Sequence, residues 1–324
     1  CAAWSAFQGD RNSERVRGVN GPAARIAAQA KLNLHLRVFP REASGYHSIE
    51  TVFHRIDLSD ELLVETGERG RSIDVEGMET GPPEQNLAFR AAVAYSTRAG
   101  WPRGFRIELK KKIPVGAGLG GGSADAAGVL RVLDSLSPTP VGNDALIEIA
   151  ASLGSDIPFL ASDAVMAFAW GHGERMMRFD PLPSYELLLM TPPFSVSTAD
   201  AYRWLDDDRA TASAPLVPGG NPVSRDTPSP LMISPLALST WPGIIRFAKN
   251  DFENHVIARH PKLAGYIERL RQSRAIFAQM TGSGSTIFGV LNSPPNYSRV
   301  PEELRRHVIT TKTSIDVVQP VRVG

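Results

Sequence analysis

Apolar and polar residues alternate strictly between residues 30 and 39 of the chain. A period of two is typical of a β-strand whose two faces lie in different surroundings. One face of the predicted strand carries Leu32, Leu34, Leu36 and Val38, and the other carries Lys31, Asn33, His35 and Arg37. We expect the second face to be solvated, so that the strand is half-buried, and we expect Lys31 and Asn33 to point the same way.

Similar patterns predict the other elements. Strands are predicted at 49–58, 61–65, 105–109 and 286–291, the first two continuing an antiparallel meander. Helices are predicted, from a period near 3.6 and from terminal signals, at 86–98, 123–136, 144–153, 250–259 and 262–274. Ser123 is the expected N-cap of the second helix, and Gly154 the expected end of the third. The Pro-, Ser- and Gly-rich stretch at 211–242 is predicted to be a long surface loop, and residues 1–24 a disordered extension.

Composition limits the class of protein. Hydrophobic residues make up 42% of the 324 residues, and this length favours two lobes because single cores stop growing at about 250 to 300 residues. The net charge of +1 predicts neither a nucleic-acid partner nor an anionic membrane surface as partner. Cys1 is the only cysteine, which excludes internal disulfides and cysteine-based metal sites. Because there is also no apolar run of about 20 residues and no secretory-signal pattern, we expect a cytoplasmic protein.

A glycine-rich segment stands between the predicted strand at 105–109 and the helix at 123–136. It reads PVGAGLGGGSADAA from residue 114 and contains Gly116, Gly118, Gly120, Gly121 and Gly122. Such a backbone can adopt positive φ and present N–H groups to an anion, and the helix that follows adds its positive dipole end. The segment matches neither the P-loop nor the dinucleotide-binding pattern, and the alternative to a phosphate loop is a flexible linker.

The segment resembles the phosphate loop of the GHMP kinases, and four other segments agree with that family. They are AKLNL at 30–34, GYH at 45–47, GSDIPF at 154–159 and TGSGS at 281–285. The resemblance implies an α+β fold of two lobes, with an N-terminal lobe like domain 2 of ribosomal protein S5 and a ferredoxin-like C-terminal lobe. The expected ATP-binding domain is 25–180, and the expected C-terminal domain is 181–324.

The implied activity is transfer of a phosphoryl group from ATP, with Mg²⁺, to a hydroxyl group of a small molecule, by a monomer or a homodimer. GYH at 45–47 is most similar to the GHMP kinases whose substrate is a cytidine diphosphate derivative of the non-mevalonate isoprenoid pathway. The alternatives are a GHMP kinase acting on homoserine, mevalonate or a sugar, and a non-catalytic nucleotide-binding regulator on the same fold. A substrate without a nucleobase needs no stacking ring, and a regulator needs no catalytic base.

Asp156 matches the catalytic base of the family, and Lys31 matches its second catalytic residue. Phosphoryl transfer depends on positioning and on charge neutralisation, with a carboxylate to orient the hydroxyl and accept its proton. From the first strand, Lys31 could reach both Asp156 and the transferring phosphate. Taken alone, Asp156 could instead cap the helix that follows it, and Lys31 could be a solvated strand residue.

Tyr46 and His47 match the cytosine-binding pair of the family, with Tyr46 stacking on the ring and His47 bonding its edge. Phe194 is the expected opposite wall, and Thr198 a further substrate contact. The alternatives are an ordinary turn for the pair and core packing for Phe194. The other residues assigned to the substrate are Asn33, Gly282, Ser283 and Gly284.

The residues assigned to ATP are those of the glycine loop together with Asn86 and Lys111. From the loop they are Pro114, Val115, Gly116, Ala117, Gly118, Leu119, Gly120, Gly121, Gly122, Ser123 and Ala124. Asn86 could equally be the N-cap of the helix after it, and Lys111 could belong to a solvated strand edge. Ser123 could also face Mg²⁺, Asp125 is assigned a structural role, and no residue is assigned as a metal ligand.

Overall fold

The computed structural model describes residues 20–78, 81–213, 235–291, 305 and 307–323. The strands in these ranges are β1 (Ala23–Arg41), β2 (His47–Gly67), β3 (Arg71–Glu76), β4 (Gly104–Lys110), β5 (Met166–Gly171), β6 (Arg175–Phe179), β7 (Glu186–Met190), β8 (Ala275–Met280), β9 (Ile287–Leu291), β10 (Val308–Lys312) and β11 (Val321–Val323). The helices are α1 (Leu87–Ala99), α2 (Gly121–Leu136), α3 (Asn143–Leu153), α4 (Ile157–Ala161), α5 (Thr198–Ser213), α6 (Pro235–Leu238), α7 (Trp241–Phe247), α8 (Glu253–Arg259) and α9 (Lys262–Gln272). None of these helices is both long and apolar enough to cross a bilayer.

The strands of the described residues form two sheets. The larger sheet has the order β11-β1-β2-β4-β3, with β5 paired to β2 and β6 paired to β5. Its centre is the long antiparallel hairpin of β1 and β2, and helices α1 to α4 pack with it in one hydrophobic cluster. The smaller sheet has the order β10-β7-β9-β8, and it packs with α5, α8 and α9 in a second cluster.

The smaller sheet is buried on both faces. Leu187 and Leu189 of β7 belong to the cluster of the larger sheet, whereas Leu188 and Met190 belong to the cluster of α5, α8 and α9. This division follows from the alternation of side chains along a strand. The two lobes therefore share an extended buried surface.

The prediction that β1 is half-buried is wrong, because its polar face is covered by the second lobe. Lys31, Asn33 and His35 are each no more than 3% exposed. The backbone N–H of Asn33 donates to Oγ1 of Thr281 at 3.0 Å, and Nδ1 of His35 lies 3.1 Å from the carbonyl oxygen of Phe247. The polar residues of β1 thus face the other lobe rather than water, while Lys31 and Asn33 share a face as predicted.

The strand β2 is continuous rather than divided at the polar residues Ser59 and Asp60. Ser59 and Asp60, which form the gap between the two predicted strands, pair with Gln29 and Ala28 of β1. Consecutive polar residues can form part of a strand when the partner strand supplies their backbone hydrogen bonds. The side chain of Asp60 is thereby fully buried, where it binds Lys111.

The predicted loop at 211–242 is shorter than expected. Helix α5 continues to Ser213, residues 214–234 lie outside the described residues, and α6 and α7 follow. Trp241 is buried and its Nε1 donates to the carbonyl oxygen of Pro183 at 2.9 Å, while Thr240 caps α7. Packing of the Trp241 ring onto the core of the larger sheet therefore favours a helix here, although the Pro-rich composition predicts a loop.

Both ends of the described chain lie on the larger sheet. Residues 1–19 of the predicted extension lie outside the described residues, and β1 already begins at Ala23. The last strand, β11, pairs antiparallel with the start of β1, and Oγ of Ser314 accepts a hydrogen bond from Nε2 of Gln29 at 3.0 Å. The segment after residue 313 therefore lies on the N-terminal lobe, and the C-terminal lobe does not extend over the whole of 181–324.

Candidate active site

A cleft of about 560 Å³ lies between the two lobes. It is lined by the polar face of β1, the glycine loop, the start of α4 and the segment before α5. The segment TGSGS at 281–285, here called the third glycine motif, also contributes to the lining. The predicted catalytic and ATP-binding residues all line it except Leu119 and Ala124, which are buried. Four of the five sequence motifs therefore contribute residues to this cleft, although they are spread from residue 31 to residue 283.

The glycine loop leads directly into α2. Gly116, Gly118 and Gly120 have φ angles of 68°, 78° and 71°. The helix begins at Gly121 with Gly120 as its N-cap, so the predicted N-cap Ser123 is wrong. The left-handed conformation of Gly120 starts the helix earlier, and Ser123 lies in its first turn and lines the cleft. No side chain caps this helix, and N–H groups at such an N-terminus are suited to bind an anion.

The third glycine motif contacts the glycine loop backbone to backbone. The N–H of Thr286 donates to the carbonyl oxygen of Ala117 at 3.2 Å. A Cβ atom on Gly118 would lie 2.3 Å from the carbonyl oxygen of Thr281, which is closer than any real contact. Glycine at position 118 is therefore required both by its positive φ and by the approach of the second lobe.

Lys31 and Asp156 form an ion pair at the floor of the cleft. Nζ of Lys31 lies 3.2 Å from Oδ2 of Asp156, and it donates to Oδ1 of Asn33 at 2.6 Å and to the carbonyl oxygen of Gly118 at 3.1 Å. The side chain of Lys31 is 3% exposed and that of Asp156 28%. The lysine is thus held by three acceptors, while the carboxylate keeps a surface open to the cleft.

The short helix α4 holds Asp156 at its N-terminus. Asp156 stands in the N-cap position but makes no capping hydrogen bond, so its carboxylate remains directed to Lys31. At the other end, the guanidinium of Arg55 donates to the carbonyl oxygens of Phe159 at 3.0 Å and Leu160 at 2.9 Å. Burial lowers the pKa of Arg55 to about 9. Arg55 was not among the predicted site residues, and its one signal in the sequence is a charge within a predicted strand.

Asn86 and Lys111 line the cleft near the start of α1 and the glycine loop. Oδ1 of Asn86 accepts a hydrogen bond from the N–H of Ala88 at 2.9 Å, so Asn86 is the N-cap of α1 as well as a residue of the cleft. The alternative of a solvated strand edge is wrong for Lys111, because its side chain is 2% exposed and its ammonium binds Asp60 and Asp125.

Tyr46 and His47 lie beside the cleft rather than in its lining. Tyr46 is 68% exposed, and its ring lies 5.5 Å from that of His172. Nδ1 of His47 donates to the carbonyl oxygen of Phe39 at 2.9 Å, because a carbonyl oxygen can only accept. Nε2 of His47 lies 3.2 Å from Oδ2 of Asp206.

Tyr202, rather than Phe194, is the second aromatic residue of this region. Tyr202 lines the cleft, its ring stacks on His47 at 4.8 Å, and burial together with the nearby charge of Asp156 raises its pKa to about 12. Phe194, the predicted wall, packs instead on His260 with ring centroids 4.3 Å apart and lies outside the lining. Phe194 precedes α5, whereas Tyr202 lies on that helix and faces the site.

Thr198 and two residues of the third glycine motif close this side of the cleft. Thr198, Gly282 and Ser283 line it, and the hydroxyl groups of Thr198 and Ser283 are 3.3 Å apart. Gly284 does not line it, and a Cβ atom at this position would meet Sδ of Met280 at 2.7 Å. The spacing of four residues between Thr198 and Tyr202 puts both on one face of a helix, a signal that would have favoured Tyr202 had α5 been predicted.

Comparisons with known proteins identify the class. The family model of the GHMP kinases N terminal domain matches residues 86–171, and that of the GHMP kinases C terminal matches residues 234–310. A homoserine kinase from Cytophaga hutchinsonii, 16% identical, aligns with a TM-score of 0.61 over 96% of this chain and all of its own, which supports the shared fold. The fold is that of a GHMP kinase, and the α+β architecture of two lobes predicted from the motifs is confirmed.

More similar relatives specify the family. 4-Diphosphocytidyl-2-C-methyl-D-erythritol kinase from Pelotomaculum thermopropionicum is 36% identical over 290 residues, which cover 88% of this chain and 96% of the relative. The kinase of the same name from Moorella thermoacetica is 34% identical over 291 residues, covering 89% and 98%. A crystal structure of a 4-(cytidine 5'-diphospho)-2C-methyl-D-erythritol kinase is 33% identical, with a TM-score of 0.68 over 90% of this chain and 99% of its own. The chain belongs to the family of 4-diphosphocytidyl-2-C-methyl-D-erythritol kinases, which confirms the resemblance seen in its sequence.

Proposed function

We propose that this kinase transfers the γ-phosphoryl group of ATP to the 2-hydroxyl of 4-diphosphocytidyl-2-C-methyl-D-erythritol, a step of the non-mevalonate isoprenoid pathway. The observation that carries the proposal is the pair of Lys31 and Asp156, 3.2 Å apart in the cleft into which the glycine loop opens. A regulator that only binds nucleotides would have no use for a carboxylate held open beside a buried ammonium.

The proposed reaction uses Asp156 as the base. The carboxylate accepts the proton of the substrate hydroxyl while the oxygen forms a bond to the γ-phosphorus, and the bond between that phosphorus and the bridging oxygen of ADP breaks. Lys31 neutralises charge on the transferring group, and its bond to Asn33 fixes its direction. Arg55 stabilises the position of Asp156 indirectly, because it donates hydrogen bonds to the carbonyl groups at the far end of α4.

ATP is proposed to bind with its phosphates on the glycine loop and at the first turn of α2, near Asn86. Mg²⁺ prefers oxygen donors and, with nucleotides, usually keeps phosphate oxygens, waters and one or two protein ligands. The oxygens of Ser123 and Asp156 line the same cleft, and the described residues contain no group of three His, Cys, Asp or Glu able to hold a metal alone. This donor set fits an ion shared with the nucleotide, which would neutralise phosphate charge when bound.

The cytidine end of the substrate is proposed to lie against Tyr202, His47 and Tyr46. A pyrimidine offers a π face for stacking and a polar edge for hydrogen bonds. The exposed ring of Tyr46 and the ring of Tyr202 supply faces, and Nε2 of His47 with the carboxylate of Asp206 supplies a polar edge. This arrangement favours a nucleobase over the small acceptors of other GHMP kinases.

Truncation of Tyr202 is expected to weaken substrate binding selectively. Tyr202→Ala should raise KM for the cytidyl substrate about 5- to 150-fold, because stacking on a base contributes about 1–3 kcal/mol, and should leave KM for ATP within about threefold. Phe194→Ala is the matched aromatic control and should change neither KM appreciably, since Phe194 packs on His260. Steady-state kinetics with each substrate varied in turn test this, and equal effects of the two substitutions would contradict it.

The function itself is tested by an assay with Mg-ATP in which the cytidyl substrate, homoserine, mevalonate and galactose compete and the products are identified by mass. A phosphorylated cytidyl compound alone is the expected result. Phosphorylation of another acceptor would reject the assignment of Tyr46, His47 and Tyr202. ATP binding without turnover of any acceptor would favour the regulator.

A further inference from the structure

Three ionisable side chains are buried together beside the glycine loop. The ammonium of Lys111 donates to Oδ2 of Asp60 and, at 2.7 Å, to Oδ2 of Asp125, and a Cβ atom on Gly121 would lie 3.3 Å from it. The side chains of Lys111, Asp60 and Asp125 are 2%, 0% and 4% exposed. Burial raises the pKa of Asp125, and the charge of Lys111 opposes this shift. A buried group of this kind is weak evidence for stability, because apolar residues of similar volume often serve as well.

The group connects the two ends of the glycine loop. Oδ1 of Asp60 accepts hydrogen bonds from the backbone N–H groups of Lys112 at 2.5 Å and Ile113 at 2.8 Å, immediately before the loop. Asp125 lies on α2, whose first turn ends the loop. Because Lys111 binds both carboxylates, the residues just before the loop and the helix just after it are connected through a single ammonium group.

Asp60 has no access of its own to a bound nucleotide. It is fully buried and does not line the cleft, whereas Lys111 and Asp125 do. Its carboxylate is engaged by Lys111 and by two backbone N–H groups. Any effect of Asp60 on nucleotide affinity must therefore pass through Lys111 or through the backbone of the loop.

We propose that Asp60, Lys111 and Asp125, here called the loop clamp, are positioning residues that hold the glycine loop in its nucleotide-binding conformation. The proposal rests on the proposed function, since it takes the loop to bind the phosphates of ATP. With both ends of the loop fixed, its N–H groups are aligned before the nucleotide arrives, and binding does not have to order them.

The test compares Asp60→Asn with Glu61→Gln, its neighbour on β2, whose carboxylate pairs with the half-exposed Lys112. The dissociation constant of Mg-ADP is measured by titration calorimetry, and KM for the cytidyl substrate is measured at saturating ATP. Asp60→Asn should weaken Mg-ADP binding about 10- to 100-fold with that KM within about threefold, as is typical when a supporting residue is removed. Glu61→Gln should match the wild type. A lower melting temperature with unchanged Mg-ADP affinity overturns the proposal.

A second variant keeps the proposal testable if Asp60→Asn does not fold. Asp125→Leu removes the attachment to α2 but leaves the pair of Asp60 and Lys111, and it should weaken Mg-ADP binding about threefold or more. Wild-type affinity in this variant also overturns the proposal. Mg-ADP binding requires no turnover, so a wild type that makes no cytidyl product rejects the proposed function while calorimetry still decides on the loop clamp. A wild type that does not bind Mg-ADP rejects both.

Discussion

Asp156→Asn is expected to lower kcat about 100- to 10,000-fold while KM for ATP and for the cytidyl substrate stays within about threefold. The amide has the size of the carboxylate, but it cannot accept the proton of the hydroxyl group. It also leaves the ammonium of Lys31, 3.2 Å away, without its counter-charge. Steady-state measurement of ADP release with each substrate varied gives both constants.

The matched control for this substitution is Asp163→Asn. Asp163 follows α4 in the same lobe, its side chain is 74% exposed, and it pairs with Arg178 at the surface. Its loss should leave kcat unchanged, because exposed ion pairs contribute little. If kcat of Asp156→Asn stayed within tenfold of the wild type, Asp156 could not be the base.

Gly118→Ala is expected to lower kcat/KM for ATP at least about 100-fold, since a displacement of about 1 Å at a reacting group can have an effect of that size. The added Cβ would lie 2.3 Å from the carbonyl oxygen of Thr281, and 3.1 Å from that of Gly284. The glycine loop and the second lobe would have to move apart, which displaces the carbonyl group of Gly118 that binds Lys31. The same kinetic assay, with thermal unfolding alongside it, measures the change.

Gly100→Ala separates steric contact from backbone strain. Gly100 has a φ of 68°, similar to the 78° of Gly118, but no atom within 4 Å of an added Cβ. The substitution should lower the free energy of unfolding by about 1–2 kcal/mol and leave kcat/KM unchanged. Equal losses of activity in the two variants would show that positive φ alone, and not the contact between lobes, makes Gly118 necessary.

The sequence predicted the residues of the cleft better than their surroundings. Phosphate binding restricts residue type, so the glycine loop could be found from its composition. Lys31 and Asp156 could be found without coordinates because their segments resemble those of the GHMP kinases. The burial of the polar face of β1 could not be found in this way, because alternation shows only that two faces differ. Which medium each face meets depends on the position of the second lobe.

Tyr202, the aromatic residue proposed to contact the substrate, shows a second limit of prediction from sequence. Phe194 and Tyr202 are both plausible rings by sequence, and only the direction in which α5 leaves the cleft decides between them. The helix was not predicted because its segment, TADAYRWLDDDR from residue 198, is polar and carries few apolar positions from which to read a period.

Buried charges were the residues most consistently missed. Arg55 and Asp60 lie in strand β2, where charged residues are normally assigned to solvent, yet both are no more than 2% exposed. Arg55 binds backbone carbonyl groups of α4 and its neighbourhood, and Asp60 binds backbone N–H groups before the glycine loop. These partners are main-chain atoms, which carry no signature in a sequence, although Asp60 also binds the side chain of Lys111.

The pairing of β11 with β1 has a consequence for how the protein is made. During translation, the residues up to 180 emerge well before 313–323, so the nascent N-terminal lobe is exposed with one edge of its large sheet uncovered. In that interval Gln29 also lacks its partner Ser314. Unpaired strand edges of incomplete chains are prone to aggregate. Slow elongation over the last third of the message, or early termination within it, would therefore lower the soluble yield more than the small size of β11 indicates.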